Sequence, residues 1–240
     1  MTLLSNSLEG GTPGAVITAA NSGGLSGTAF GDSSVDTGNT LAYDSTTAAH
    51  GSVSAQVSTG VGSGQAWVAW TSGLPGTSPT IWGRSYYRFA GNPSAAVNVF
   101  RILSGSNGIM GSIRVNANGT LGMLHGSGTL SGTSTAALTA GAWWRIEVMV
   151  TAGTATTGSM ACQIFWSPDA TTPDQVLSVS GVNTGAVNPS RLRVGVVSNA
   201  ASVAPFHFDD LALSDTGYPG PAGAPPPAPL KGFRGWGIRL

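Results

Sequence analysis

Phe206-His207-Phe208-Asp209-Asp210-Leu211-Ala212-Leu213-Ser214 reads as a strand whose hydrophobic register breaks in the middle. Side chains alternate between faces along a strand, so Phe206 and Phe208 point the same way. Beyond the acidic pair the apolar positions are Leu211 and Leu213, which have the opposite parity. An unbroken strand cannot turn both sets toward one core. A β-bulge at Asp209-Asp210 inserts one residue and restores the match. The same kink sets two adjacent carboxylates among apolar neighbours, where they need hydrogen bonds, a cation or a shifted pKa. This is the closing strand of the folded region, because a proline-rich stretch follows it.

The strongest strand pattern is Trp143-Trp144-Arg145-Ile146-Glu147-Val148-Met149-Val150. Trp144, Ile146, Val148 and Val150 form its apolar face, while Trp143, Arg145, Glu147 and Met149 form the other. Arg145 and Glu147 are spaced for an ion pair, which is read as structural. Further strands are predicted over 14–20, 41–44, 52–58, 65–70, 81–90, 97–103, 109–115, 120–125, 159–167, 176–179 and 191–197. Asn116-Ala117-Asn118-Gly119 between two of them is a hairpin signal, since Asn and Gly accept positive φ. About a dozen short strands with Gly, Ser, Asn and Pro turns, and no amphipathic helix, predict an all-β sandwich or barrel. No sequence period marks a propeller or β-helix.

The chain has 240 residues, 41% of them hydrophobic, which is enough for a sizeable core. Charged residues make up 8%, against about 25% in an average soluble domain. Lys231 is the only lysine, and Glu9 and Glu147 are the only glutamates. With zero net charge and no basic stripe, nucleic-acid binding is not expected. No apolar run reaches the roughly 18 residues of a membrane helix, and residues 1–11 do not resemble a secretory signal. Cys162 stands alone and is read as a buried, inert thiol. A sparsely charged β-rich surface at zero net charge favours self-association, so a homo-oligomer is expected.

The organisation is read as a sandwich over 1–217, a Pro/Gly-rich linker over 218–229 and a docking peptide over 230–240. The linker is extended by its prolines. The docking peptide, with Phe233, Arg234, Trp236, Ile238 and Leu240, is too apolar for a solvated end and too short to fold alone. It is expected to seat aromatic and Arg anchors in a neighbour.

Four stretches, in order, resemble concanavalin A-like and laminin G-like jelly rolls. Asn6-Ser7-Leu8-Glu9-Gly10-Gly11 resembles their opening motif. His50-Gly51-Ser52-Val53-Ser54-Ala55 resembles an early strand, and Trp143-Trp144-Arg145-Ile146-Glu147 a central one. Phe206-His207-Phe208-Asp209-Asp210-Leu211 resembles their closing strand. The resemblance implies two antiparallel sheets, one concave. It also implies a structural Ca²⁺ held by Glu9 and Asp209, with backbone carbonyls near Gly11 and His50, consistent with the oxygen ligands that calcium takes. Asp44 is a further candidate.

Such domains with a Pro-rich exit resemble virion components of tailed bacteriophages. This implies a non-enzymatic head-decoration or minor tail protein, made in the host cytoplasm, located in the virion and anchored to other virion proteins by the arm. The alternative is a carbohydrate-binding module or adhesin for host glycans. Tryptophan faces stack on sugar rings, so Trp67, Trp70, Trp82 and Trp143, with Arg145 beside the last, are the carbohydrate-binding candidates. The chain is not expected to be an enzyme. Paired carboxyls at glycosidase spacing are missing, no G-x-S-x-G is present, and His50, His125 and His207 lack metal-site spacing.

Overall fold

The computed structural model describes residues 2–60, 64–74, 77–200 and 203–223. Fifteen strands are formed among the described residues. They are β1 (Leu3–Asn6), β2 (Asp32–Val35), β3 (Thr40–Asp44), β4 (Ser54–Thr59) and β5 (Gly64–Trp70), then β6 (Thr80–Phe89), β7 (Val97–Ser104), β8 (Ile109–Val115), β9 (Thr120–His125) and β10 (Thr129–Ala137). The last five are β11 (Trp143–Thr151), β12 (Gly158–Phe165), β13 (Gln175–Val182), β14 (Pro189–Ala200) and β15 (Val203–Ser214). The helical content among the described residues is two 3₁₀ turns, Ala19–Asn21 and Gly24–Ser26.

Two antiparallel sheets pack face to face, as expected for a β-sandwich. The eight-stranded sheet runs β13-β12-β11-β6-β15-β4-β3, with β1 also paired to β15. The seven-stranded sheet runs β10-β9-β8-β7-β14-β5-β2. The core between them contains Trp144, Ile146, Val148 and Val150 from β11. Tyr87 stacks on Trp144 at 4.8 Å and Phe89 on Phe206 at 4.3 Å between ring centroids. Cys162 is a buried thiol in the same core.

The bulge lies where the parity switch requires it. Asp209 is opposite Tyr86 of β6, but the next partners are Ala212 and Arg84. Two β15 residues, Asp210 and Leu211, therefore face Ser85 alone, and Asp210 takes a left-handed backbone with φ +46°. Phe206, Phe208, Leu211 and Leu213 all reach the core as a result. On the flank opposite β6, β4 pairs with residues before the bulge and β1 with residues after it. The Asn116–Gly119 turn joins β8 to β9, with Gly119 at φ +80°.

The strand predicted over 14–20 is not formed. This segment runs beside β3 through bonds such as Tyr43 N–H to Ala15 O, with a single bridge at Val16. Val16 is exposed and Ile17 is buried, so the apolar pair does not face the core together. The first residues of the expected 218–229 linker are held against the sandwich. Tyr218 meets Trp82 edge-on, Gly220 bonds both Glu147 and Arg84, and the Ala222 N–H donates to the Tyr86 hydroxyl. Residues 218–223 thus form a strap on the outer face of the eight-stranded sheet. The docking peptide at 230–240 lies outside the described residues.

Phe206 is fully buried against Phe89. Phe206→Ala is expected to cost about 3–5 kcal/mol in urea unfolding. Leu130→Ala, on exposed edge strand β10, is expected to stay within about 0.5 kcal/mol.

Candidate functional site

The acidic clasp was the first candidate. Asp209 is fully buried. Its Oδ2 accepts from the Ala49 N–H at 2.9 Å and its Oδ1 from the Asp210 N–H at 2.8 Å. Glu9 accepts from the Ser52 and Val53 N–H groups, each at 2.9 Å to Oε1, and from the Ser52 hydroxyl. Gly51, at φ +68°, leaves room for the Glu9 carboxylate, which a Cβ there would strike. The 49–53 segment is therefore gripped from both ends, by Glu9 just after the first strand and by Asp209 in the last. Asn6, at the end of β1, ties a different segment: its side chain donates to the Ser22 and Thr28 carbonyls and accepts from the Leu8 N–H.

These contacts bear on the calcium set Glu9, Gly11, His50 and Asp209. Both carboxylates spend oxygens on backbone N–H donors. The His50 ring pairs with Asp210 at 2.5 Å and Asp169 at 3.0 Å. Gly11 packs its α-carbon against the Tyr43 ring. Among the described residues no three His, Cys, Asp or Glu side chains form a metal-holding group. Glu9 and Asp209 thus form an amide-bound carboxylate clasp.

The tryptophan candidates separate by position. Trp70 is 2% exposed in the core, tilted against Phe30, with its indole N–H on the Thr28 and Ala29 carbonyls. It cannot stack on a sugar there. Trp67 lies on the outer face of the seven-stranded sheet, but it is 6% exposed and the Arg193 guanidinium covers its ring at 4.0 Å. Trp82 is half-buried beside Tyr218. Trp143 is half-buried on the outer face of the eight-stranded sheet. Arg145, expected to offer hydrogen bonds to hydroxyls, is 1% exposed. It pairs with Glu147 at 3.0 Å, as the spacing predicted, and donates to the Pro168 and Ala170 carbonyls over the Phe165 ring. The segment at 165–170 roofs it, a non-local contact that strand parity does not reveal.

The site missed in the sequence is cationic. Arg193 of β14 lies directly opposite Arg101 of β7, and Arg101 opposite Ser112 of β8. Arg191 and Arg114 share this outer face at positions two residues along β14 and β8. All four are half-buried. Arg101 donates to the Ser112 hydroxyl, Arg114 to Asn116 and Arg191 to Asn107. Burial lowers the Arg101 pKa, and neighbouring Arg193 lowers it further. Burial also lowers that of Arg193, which Asp32 on edge strand β2 raises and Arg191 lowers. The cations therefore feel one another, with Asp32 at the sheet edge as an opposing charge. Net charge and linear charge runs hid this patch. The available signal was parity, since Arg101, Arg191 and Arg193 all alternate with core residues.

Burial and the neighbouring Asp210 push the Asp209 pKa well above the usual carboxylate range. A raised carboxyl pKa stabilises the fold at acid pH, below the unfolded value of about 3.9. That contribution is lost as pH rises through the folded value. Asp209→Asn removes it. The melting temperature of the variant, relative to the parent, is therefore expected to rise as pH increases above about 4; a flat difference would contradict the assignment.

No protein-family model matches the chain, and no curated protein sequence matches it. Solved structures share its fold at low identity. One is the endo-β-1,4-glucuronan lyase of the fungus Trichoderma reesei, with TM-score 0.63 and 13% identity over 89% of this chain and 95% of that one. Another is the PL-14 alginate lyase of Aplysia kurodai, with TM-score 0.62 and 11% identity over 89% and 99%. A carbohydrate esterase from the Shiga toxin-encoding bacteriophage phi24B gives TM-score 0.54 and 14% identity over 89% and 97%. The chain thus has the β-sandwich fold that these carbohydrate-active proteins use.

Proposed function

We propose that this protein is a non-catalytic module that binds an acidic polysaccharide on the outer face of its seven-stranded sheet. The observation that carries this reading is the cluster of Arg101, Arg114, Arg191 and Arg193 on neighbouring strands. Arginine forks match carboxylates in two parallel hydrogen bonds. Partial burial lowers the local dielectric and strengthens each contact. Adjacent strands are about 4.8 Å apart, so the cations form a grid able to meet carboxylates repeated along a polymer. The likeness to a glucuronan lyase and an alginate lyase supports the same polymer class, since both substrates are polyuronates.

Binding without turnover is favoured by what surrounds the arginines. Abstracting a proton beside a uronate carboxylate needs a positioned base. All four tyrosines lie elsewhere: Tyr43 on β3, Tyr86 and Tyr87 on β6, and Tyr218 in the strap. Display on a virion through the arm at 230–240 is compatible with this reading, but the arginine face supports the carbohydrate-binding alternative specifically.

Affinity electrophoresis in alginate or glucuronan gels tests the proposal. Migration should be retarded, more at about 50 mM than at about 500 mM salt. Arg101→Gln and Arg193→Gln should each weaken retardation about tenfold, or ~1.4 kcal/mol, while Val176→Ala, exposed on the opposite sheet, should not. Unchanged retardation in both face variants, or none in the parent, refutes it.

A further inference from the structure

The outer face of the eight-stranded sheet is divided in two. One half, around Arg84, Tyr86, Arg145 and Glu147, is closed by the strap and by the 165–170 segment, and its polar groups bond to both. The adjoining row of outward positions lies outside these two segments, with His207 buried and its neighbours half-buried. It runs in direct register from Trp143 on β11 to Arg88 on β6, His207 on β15, Gln56 on β4 and Ala42 on β3. Asp44, two residues beyond Ala42 on the same face, approaches His207 at 3.4 Å. Trp143 and His207 have ring centroids 6.5 Å apart.

The polar groups of this row keep bonding capacity in hand. Among the described residues the Arg88 guanidinium uses only Nε, which donates to the Gly141 carbonyl. Its forked terminal nitrogens are free to donate. Gln56 meets His207 through Nε2 at 3.4 Å, leaving its carbonyl oxygen as an acceptor. Arg145, one row away, spends its terminal nitrogens on the Pro168 and Ala170 carbonyls, so the contrast is local. Charges within the row balance, Arg88 against Asp44, and burial lowers the His207 pKa, keeping that ring neutral near pH 7. A half-buried indole beside alternating donors and acceptors, with no excess of either sign, has the chemistry that hydroxyl-rich uncharged rings need.

We infer that the Trp143–Arg88–His207–Gln56 row, ending at Asp44, is a second carbohydrate site that takes a neutral polysaccharide chain lying across the strands. From β11 to β4 the row spans about 14 Å at ordinary strand spacing, the length of a short oligosaccharide. Trp143 stacks on one ring. Arg88 and Gln56 exchange hydrogen bonds with hydroxyls of the following rings, and Ala42 leaves the far end open toward Asp44. This inference stands independently of the arginine face, which is on the opposite sheet and has the opposite charge logic.

Affinity electrophoresis in gels containing a neutral glucan, a galactan or a mannan tests it directly. The parent should be retarded by at least one of the polymers, and retardation should change little with salt. Trp143→Ala and Gln56→Ala should each weaken it about tenfold or more. Arg101→Gln should leave it intact, whether or not that variant loses polyuronate binding. Melting curves verify that both site variants fold. Gln56→Ala, at a half-exposed position, keeps the test decisive if Trp143→Ala does not fold. No retardation by any of the polymers overturns the inference. Retardation unchanged in folded Gln56→Ala and in folded Trp143→Ala overturns it as well.

Discussion

The bulge in β15 is the constraint on which the rest of the sandwich depends. One strand has to bring Phe206 and Phe208, and then Leu211 and Leu213, to the same core. It can do so only by spending an unpaired residue at the acidic pair. That kink changes which neighbour is available. Before it β15 lies beside β4, and after it β1 takes that flank. The first and last strands are therefore joined through the irregularity itself. The carboxylate displaced by the kink is reused to hold the amides at 49–53, as Glu9 does from the other side. Buried carboxylates are costly unless they accept hydrogen bonds, and here their acceptors organise the loop that borders both strands.

The two outer faces carry unlike chemistry because a sandwich isolates them from each other. Only 8% of the chain is charged, so position matters more than number. Arg84, Arg145 and Glu147 are consumed in a roofed ion-pair network on the eight-stranded sheet. Arg101, Arg114, Arg191 and Arg193 remain on the other sheet with few anions near them. Zero net charge is a sum over the whole chain, in which carboxylates elsewhere offset these arginines, so it conceals the cationic face.

The central strands were legible in the sequence because they obey period two and bury one face completely, as β11 does. The bulge was legible for the same reason, since a parity error in an otherwise apolar strand has few remedies. The edge strands β2 and β10 were not legible. Thr129–Ala137 is mostly Ser, Thr, Gly and Ala with Leu130 exposed, and an edge strand need not feed the core. Trp67 and Trp70 could not be ranked for exposure, because β5 is buried on both faces and alternation then carries no sign. The arginine face was out of reach for a different reason. Its members come from β7, β8 and β14, and only lateral register, set by long-range pairing, brings 101 beside 193.

The pairing of β1 with β15 has a topological consequence. Thr2 N–H donates to Asp215 Oδ1 at 2.7 Å, and Leu3 is opposite Ser214. The two ends of the sandwich therefore meet on one edge. A unit whose ends meet can be spliced into a surface loop of another protein, or reopened at a different turn and rejoined here, without disturbing its core. The sandwich is in effect a closed ring of chain with one seam, and its two outer faces would travel together wherever that seam is inserted.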